Sequence, residues 1–127
     1  MTAMDQTSAA DADAFDAGEI VSTADTGLSR VLELLGQARA LASQKNFLEA
    51  ERVCLDASEL AKQQVGDESP IYGLCLEDLG AIRFCQGKIR PADVTLTTAL
   101  TILEKALGRD HADVARVFSR LHELYNS

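Results

Sequence analysis

The sequence has few of the residues that build metal sites or disulfide frameworks, with three cysteines, two histidines and no tryptophan among 127 residues. Cys54, Cys75 and Cys85 are odd in number and form no Cys-x-x-Cys pair. This pattern argues against a disulfide framework and a zinc knuckle, and it predicts three small core residues. His111 and His122 fall about three turns apart on one predicted helix, so they are not expected to share an ion. We therefore predict no metal and no cofactor.

Basic residues are absent from the first 27 positions, which carry six acidic residues. The net charge of the chain is −8, but from residue 28 onward it is only −2, because that part holds all 12 lysines and arginines and 14 of the 20 acidic residues. This asymmetry predicts an acidic arm over residues 1–27, either disordered or docking, and a folded domain over residues 28–127. Without a basic patch, nucleic acid is not an expected partner. The arm would also be repelled by anionic lipid surfaces.

Long apolar segments are absent as well. No run approaches the ~20 apolar residues of a membrane span, and no basic-plus-apolar leader opens the sequence. We therefore expect a soluble, cytoplasmic protein without a membrane partner.

The sequence does contain an internal repeat with a period of 42 residues: Gly66 falls on Gly108, and Ala57 falls on Ala99. Within each copy, apolar residues recur at spacings of three and four, as in amphipathic helices. Segments with turn-forming residues separate these helices. The pattern predicts five helices, at about 28–44, 47–65, 69–86, 90–107 and 111–125. A repeated helix pair that buries its apolar face against its neighbours predicts an all-α, right-handed solenoid of about two and a half repeats.

One stretch of the repeat, "LEDLGAIRFCQGKIRPADVTLTTALTILEKALGRDHADVA", resembles the 42-residue tetratricopeptide unit of the kinesin-light-chain type. The resemblance covers about residues 28–125, and "LHELY" at 121–125 begins a further unit. It implies helix pairs whose first helices line a concave groove, and a function in binding proteins or peptides. The matching positions are Leu79, Gly80, Ile82, Gln86, Gly87, Lys88, Ala92, Ala99, Leu100, Ile102, Glu104, Lys105, Leu107, Gly108, Asp110, His111, Val114 and Ala115.

The charged stretch "GRDH" at 108–111 falls in the turn between two repeats of that pattern. Asp110 is expected to cap the next helix, and His111 is expected to pack in the loop. The Gly87-Lys88 pair is followed by Ile89 where a phosphate loop needs Ser or Thr. No nucleophile, base and oxyanion donor converge, so no catalytic residue is predicted and the protein is not expected to be an enzyme.

Mapping the groove positions of the resemblance predicts a concave face with an apolar start, an acidic middle and a basic end. Glu77 and Asp78 replace an Asn pair that kinesin light chains often carry, so cargo specificity is not transferred from that family. The arginines are candidate anchors for acidic peptide side chains through charge-assisted bonds. The alternative is that these charges form only a solvated face. The candidate partner-binding residues are Arg39, Glu77, Asp78, Phe84, Arg116 and Arg120.

Two further surfaces are candidates for association. Phe118, Leu121 and Tyr125 on the last helix would leave apolar surface at the end of the solenoid, which invites binding of a second copy or of another protein. The arm contains "DADAFDAGEIV", which loosely resembles an acidic peptide with an aromatic anchor. We expect Phe15, Asp16 and Glu19 to contribute to docking of the arm on its own groove or on that of a neighbour.

These observations predict an adaptor that binds a protein or peptide partner through its concave groove and its C-terminal face. Two alternatives remain open. In the first, the chain is a self-assembling scaffold that forms homo-oligomers through the C-terminal face or the arm. In the second, it is a regulatory or chaperone subunit of a larger complex.

Overall fold

The computed structural model describes residues 17–127, with side chains from residue 27 onward. In this part the chain forms only helices: α1 (Ala17–Ser43), α2 (Phe47–Val65), α3 (Pro70–Cys85), α4 (Ile89–Leu107) and α5 (Ala112–Tyr125). The predicted bounds agree to within one residue everywhere except at the start of α1. That helix begins at Ala17 instead of near residue 28, so it extends into the segment predicted as the arm. No proline interrupts this segment, and helical backbone continues through Gly27.

The ends of the helices are set by residues with left-handed backbone. Gly66 and Gly108 follow α2 and α4 with φ of 90° and 92°, and both N–H groups bond back to the preceding turn. Both glycines therefore supply the positive φ that ends a helix in each repeat. Within the pairs, Gly87 has φ of 79°, and at the equivalent position of the first pair Lys45 adopts φ of 64°.

The helices stack in two layers. Each helix packs against the next one in sequence, and the odd-numbered helices also touch one another, α1 with α3 and α3 with α5. The structure therefore has an inner layer of α1, α3 and α5 and an outer layer of α2 and α4. This open stack confirms the predicted all-α solenoid.

Small residues let the helices of a pair approach closely. A Cβ atom added at Gly80 would lie 2.6 Å from Cγ of Leu96, and one added at Gly73 would lie 2.9 Å from Leu103. Ala38 stands at the position of Gly80 in the first pair and is fully buried. In α5 the equivalent residue is the larger His122.

Two of the three cysteines lie in the core, as predicted. Cys54 and Cys75 are fully buried, and the Cys54 thiol donates to the carbonyl oxygen of Cys75 at 3.4 Å. Burial raises the pKa of both thiols, that of Cys75 to about 12. The prediction was wrong for Cys85, which is exposed because it is the last residue of α3 and lies off the face that carries Leu79 and Ile82 into the core.

Candidate functional site: the concave face of the inner layer

The inner layer brings the predicted groove residues from three helices together. Arg39 lies on α1, Glu77 and Asp78 lie side by side on α3, and Arg116 and Arg120 lie on α5. They meet because each helix of this layer contacts the next one across the stack.

Glu77 is the centre of this cluster, although it is only 1% exposed. Arg116 donates to both of its carboxylate oxygens, from Nε to Oε2 at 2.6 Å and from Nη2 to Oε1 at 2.8 Å. Arg120 adds a bond from Nε to Oε2 at 2.8 Å. Burial by itself raises the pKa of Glu77, but the hydrogen bonds from the two arginines outweigh burial and lower it. The carboxylate therefore stays ionised inside the stack.

Asp78 makes the corresponding bond to α1. Arg39 donates from Nε to Oδ2 of Asp78 at 2.8 Å, and the side chain of Arg39 remains 62% exposed. Burial raises the pKa of Asp78, and this single arginine does not fully offset the effect. The pKa is therefore lowered at Glu77, which accepts hydrogen bonds from two arginines, and raised at Asp78, which accepts one from a single arginine.

The two ion pairs have the same separation along the chain, although they occupy different positions of the 42-residue repeat. Arg39–Asp78 and Glu77–Arg116 each join residues 39 positions apart, which is one repeat less about one helical turn. The charges connect consecutive inner helices. The prediction of a separate acidic middle and basic end was wrong in this respect, because the arginines cover the acids. A fully solvated face is likewise contradicted for Glu77 and Asp78, which are buried.

The three arginines differ in the donors that they leave over. Arg116 uses Nε and Nη2 on Glu77, and its Nη1 lies 3.0 Å from Asp113. Arg120 and Arg39 are held only through Nε by carboxylates of α3. Within residues 27–127, the Nη groups of Arg39 and Arg120 form no hydrogen bond. They are cationic donors of fixed orientation at the surface of the groove.

Phe84 lies next to one of these arginines. Together with Arg120 it lines a cavity of about 240 Å³ between α3, α4 and α5. Ala81 and Leu96 supply apolar wall, and Glu123 lies at the α5 side. The cavity therefore offers an apolar surface beside a cationic donor.

The predicted end-face residues line a second, larger cavity of about 660 Å³ on α4 and α5. Phe118 is 47% exposed and Tyr125 is 65% exposed, while Leu121 is buried in the core formed with α4. His122 lies in the same cavity. Of the three residues, Phe118 and Tyr125 therefore offer free apolar surface and Leu121 supports them from beneath.

A set of contacts between the layers was missed by sequence reasoning. Glu51 on α2 accepts bonds from Arg83 at 3.1 Å, Gln86 at 3.0 Å and Lys88 at 3.1 Å. One repeat later, Tyr125 donates to Asp93 at 2.9 Å. Both Arg83–Glu51 and Tyr125–Asp93 span 32 positions, so the offset of 42 residues was the signal that relates them.

The turn before α5 is structural, as predicted, but the roles of its two residues were wrong. His111, not Asp110, caps α5: its Nδ1 accepts a bond from the N–H of Asp113 at 3.0 Å. His111 is exposed instead of packed, because a side chain that caps a helix from this turn points along the surface.

The arm candidates fall at the edge of the described region. Phe15 and Asp16 lie outside the described residues, and Glu19 lies in α1 among residues whose side chains are not described. Over residues 27–127, no three His, Cys, Asp or Glu side chains are grouped so that they would hold a metal ion. Every helix from Ala17 onward is too short or too polar to cross a bilayer.

Comparison with known proteins agrees with this architecture. A family model described as "Tetratricopeptide repeat" matches residues 30–105, which is more than half of the chain. No curated protein gives a significant match.

Proposed function

Since the chain belongs to the tetratricopeptide repeat family, we propose that it is a non-enzymatic adaptor that binds an acidic segment of a protein partner in its concave groove. Repeats of this family generally bind proteins or peptides. The 42-residue period and the "EKALGRDH" stretch support placing it with the kinesin-light-chain type of repeat. A cytoplasmic location stays a prediction.

The observation that carries this proposal is the way in which Arg39 and Arg120 are held. Each guanidinium is fixed through Nε by a buried carboxylate of α3, and its Nη groups remain available. A guanidinium edge binds a carboxylate through parallel, charge-assisted bonds, and a side chain that is already oriented loses less entropy on binding. The groove is therefore suited to ligands that carry two carboxylates.

Under this proposal, the charged residues of the groove have different roles. Arg39 and Arg120 would contact the ligand, whereas Glu77 and Asp78 would act as positioning residues beneath them. Arg116 has its donors engaged by Glu77 and Asp113, so its main effect would be on the α3–α5 interface. Phe84 would contact an apolar side chain of the ligand in the adjoining cavity.

The test is binding of acidic peptides, measured by calorimetry or fluorescence anisotropy. Arg39→Ala and Arg120→Ala should each weaken binding by about 10-fold or more, since a hydrogen bond to a charged group is worth about 1.5–3 kcal/mol. Arg52→Ala is the matched control, because Arg52 pairs only with Glu49 on the outer helix α2. Equal affinities for all three variants would contradict the proposal.

A second function is favoured by the end face. The cavity of about 660 Å³ is bordered by exposed aromatic residues, Phe118 and Tyr125. Such a patch supports a scaffold that associates through this surface, or a subunit that joins a larger complex through it. Phe118→Glu should then abolish any concentration-dependent mass in light scattering; an unchanged mass would exclude the end face as the contact.

A further inference from the structure

We propose that the groove of one chain binds the acidic segment 11–16 of a second copy of the same chain. This inference rests on the proposed function of the groove and names its occupant. It makes the protein a homotypic binder in which arm and groove belong to different molecules.

Charge complementarity supports this occupant. The segment reads "DADAFD", with three carboxylates in six residues, and no basic residue occurs before residue 28. The groove cluster pairs Arg39, Arg116 and Arg120 with Glu77, Asp78 and Asp113, so its charges balance. Complementarity to the segment therefore comes from the Nη groups of Arg39 and Arg120, which form no hydrogen bond within residues 27–127. The free donors of Arg39 and Arg120 are the sites at which two of these carboxylates would bind.

The segment also matches the apolar part of the groove. Phe15 is the only aromatic residue among the first 27, and it is followed directly by Asp16. The cavity lined by Phe84 and Leu96 lies directly beside Arg120. An aromatic side chain in that cavity would place the adjacent carboxylate close to the guanidinium.

The length of α1 decides that the occupant comes from another molecule. The helix runs without interruption from Ala17 to Ser43, so Ala17 lies about 33 Å along the axis from Arg39. An extended chain from Asp11 to Ala17 spans at most about 20 Å. Arg120 lies on α5, with α3 between it and α1, so it is also out of reach. Docking of Phe15 and Asp16 on their own groove is therefore excluded, and a neighbouring chain remains.

Intermolecular paramagnetic relaxation gives a direct test on the full chain. One sample contains no ¹⁵N and carries a nitroxide attached at Ser8→Cys. Its chain also has the substitution Cys85→Ser, because Cys85 is exposed and would take up the label, whereas Cys54 and Cys75 are buried. It is mixed with ¹⁵N-labelled protein of natural sequence. We expect selective broadening of amide signals around Arg39, Asp78 and Arg120 in the labelled chain, because only contacts between molecules broaden it. Absence of this broadening would overturn the proposal.

Two sets of variants test whether the broadening depends on the carboxylates of the arm and on the arginines of the groove. Asp11→Asn, Asp13→Asn and Asp16→Asn together in the nitroxide chain should reduce the broadening at least 10-fold without touching the folded repeats. Arg39→Glu with Arg120→Glu in the labelled chain should do the same, with helicity checked by circular dichroism. Undiminished broadening in the arm variant would show that charge pairing does not carry the contact.

The outcome is separable from that of the proposed function. If an acidic peptide of unrelated sequence binds the groove but the mixed sample shows no broadening, the homotypic contact is wrong and the adaptor function stands. If neither is observed, both are wrong. Broadening should also decrease at 1 M salt, where the screening length falls to about 3 Å.

Discussion

Arg116 on α5 donates two hydrogen bonds, of 2.6 and 2.8 Å, to the carboxylate of Glu77 on α3. The carboxylate is buried and the guanidinium is partly exposed, so the pair both joins two inner helices and borders the groove. The stability of the stack and the shape of the proposed binding surface therefore depend on the same side chains.

Glu77 and its neighbour Asp78 should respond differently to removal of their charge. Glu77→Gln should destabilise the protein by about 2 kcal/mol, because it leaves two arginines without their shared anion. Asp78→Asn should cost less than about 1 kcal/mol, since Arg39 can return to water and burial already disfavours the Asp78 anion. Urea unfolding followed by circular dichroism measures both values. Equal losses of stability in the two variants would show that the number of arginines bound to each carboxylate does not determine its contribution to stability.

The dependence of stability on pH follows from the two lowered carboxylate pKa values. Hydrogen bonds lower the pKa of Glu77 and of Glu51 below the usual value of a glutamate, despite the opposing effect of burial. Their contribution is present above the unfolded value and is lost as pH falls through the folded value. The free energy of unfolding should therefore fall as the pH drops below about 4.5.

Asp78 has the opposite sign, because its pKa is raised in the folded state. Its protonation relieves a burial cost, so it should partly offset the acid-induced loss. Glu77→Gln should flatten the acid limb of the stability profile, and Asp78→Asn should make it steeper. Parallel profiles for the natural protein and both variants would contradict this assignment.

Two glycines on inner helices should give opposite effects when replaced by alanine. At Gly80 the new methyl group would meet Leu96 at 2.6 Å, so Gly80→Ala should cost about 1–3 kcal/mol through overpacking. At Gly36 nothing lies within 4 Å, so Gly36→Ala should stabilise the protein by about 0.5–1 kcal/mol through helix propensity. Thermal unfolding of the pair would test this, and a stabilising Gly80→Ala would show that α3 and α4 are free to separate.

The thiols should react unequally with a water-soluble disulfide reagent. Cys85 is exposed and should react at once, whereas Cys54 and Cys75 are buried, with raised pKa values, and should react only after unfolding. The native protein should therefore have one thiol that reacts rapidly. Rapid reaction of all three thiols would mean that the α2–α3 interface opens readily.

Much of the fold was predictable because the information is local. Apolar spacing defines the helices, and Gly66 and Gly108 mark their ends at equivalent places in two repeats. The cap of α5 was not predictable in the same way, because Asp110 and His111 are both suitable and only backbone geometry selects His111. The start of α1 was missed because an acidic, Ala- and Thr-rich segment also suits a disordered chain.

The sequence by itself determined the helices, their 42-residue repeat and hence the stacked architecture, since each of these depends on the spacing of residues along one chain. Only the tertiary structure decided what the charges of the groove do, because Arg39, Glu77 and Arg116 come from three helices and their pairing depends on distances between those helices. The free donors at Arg39 and Arg120, and the arm's inability to reach its own groove, follow from that geometry.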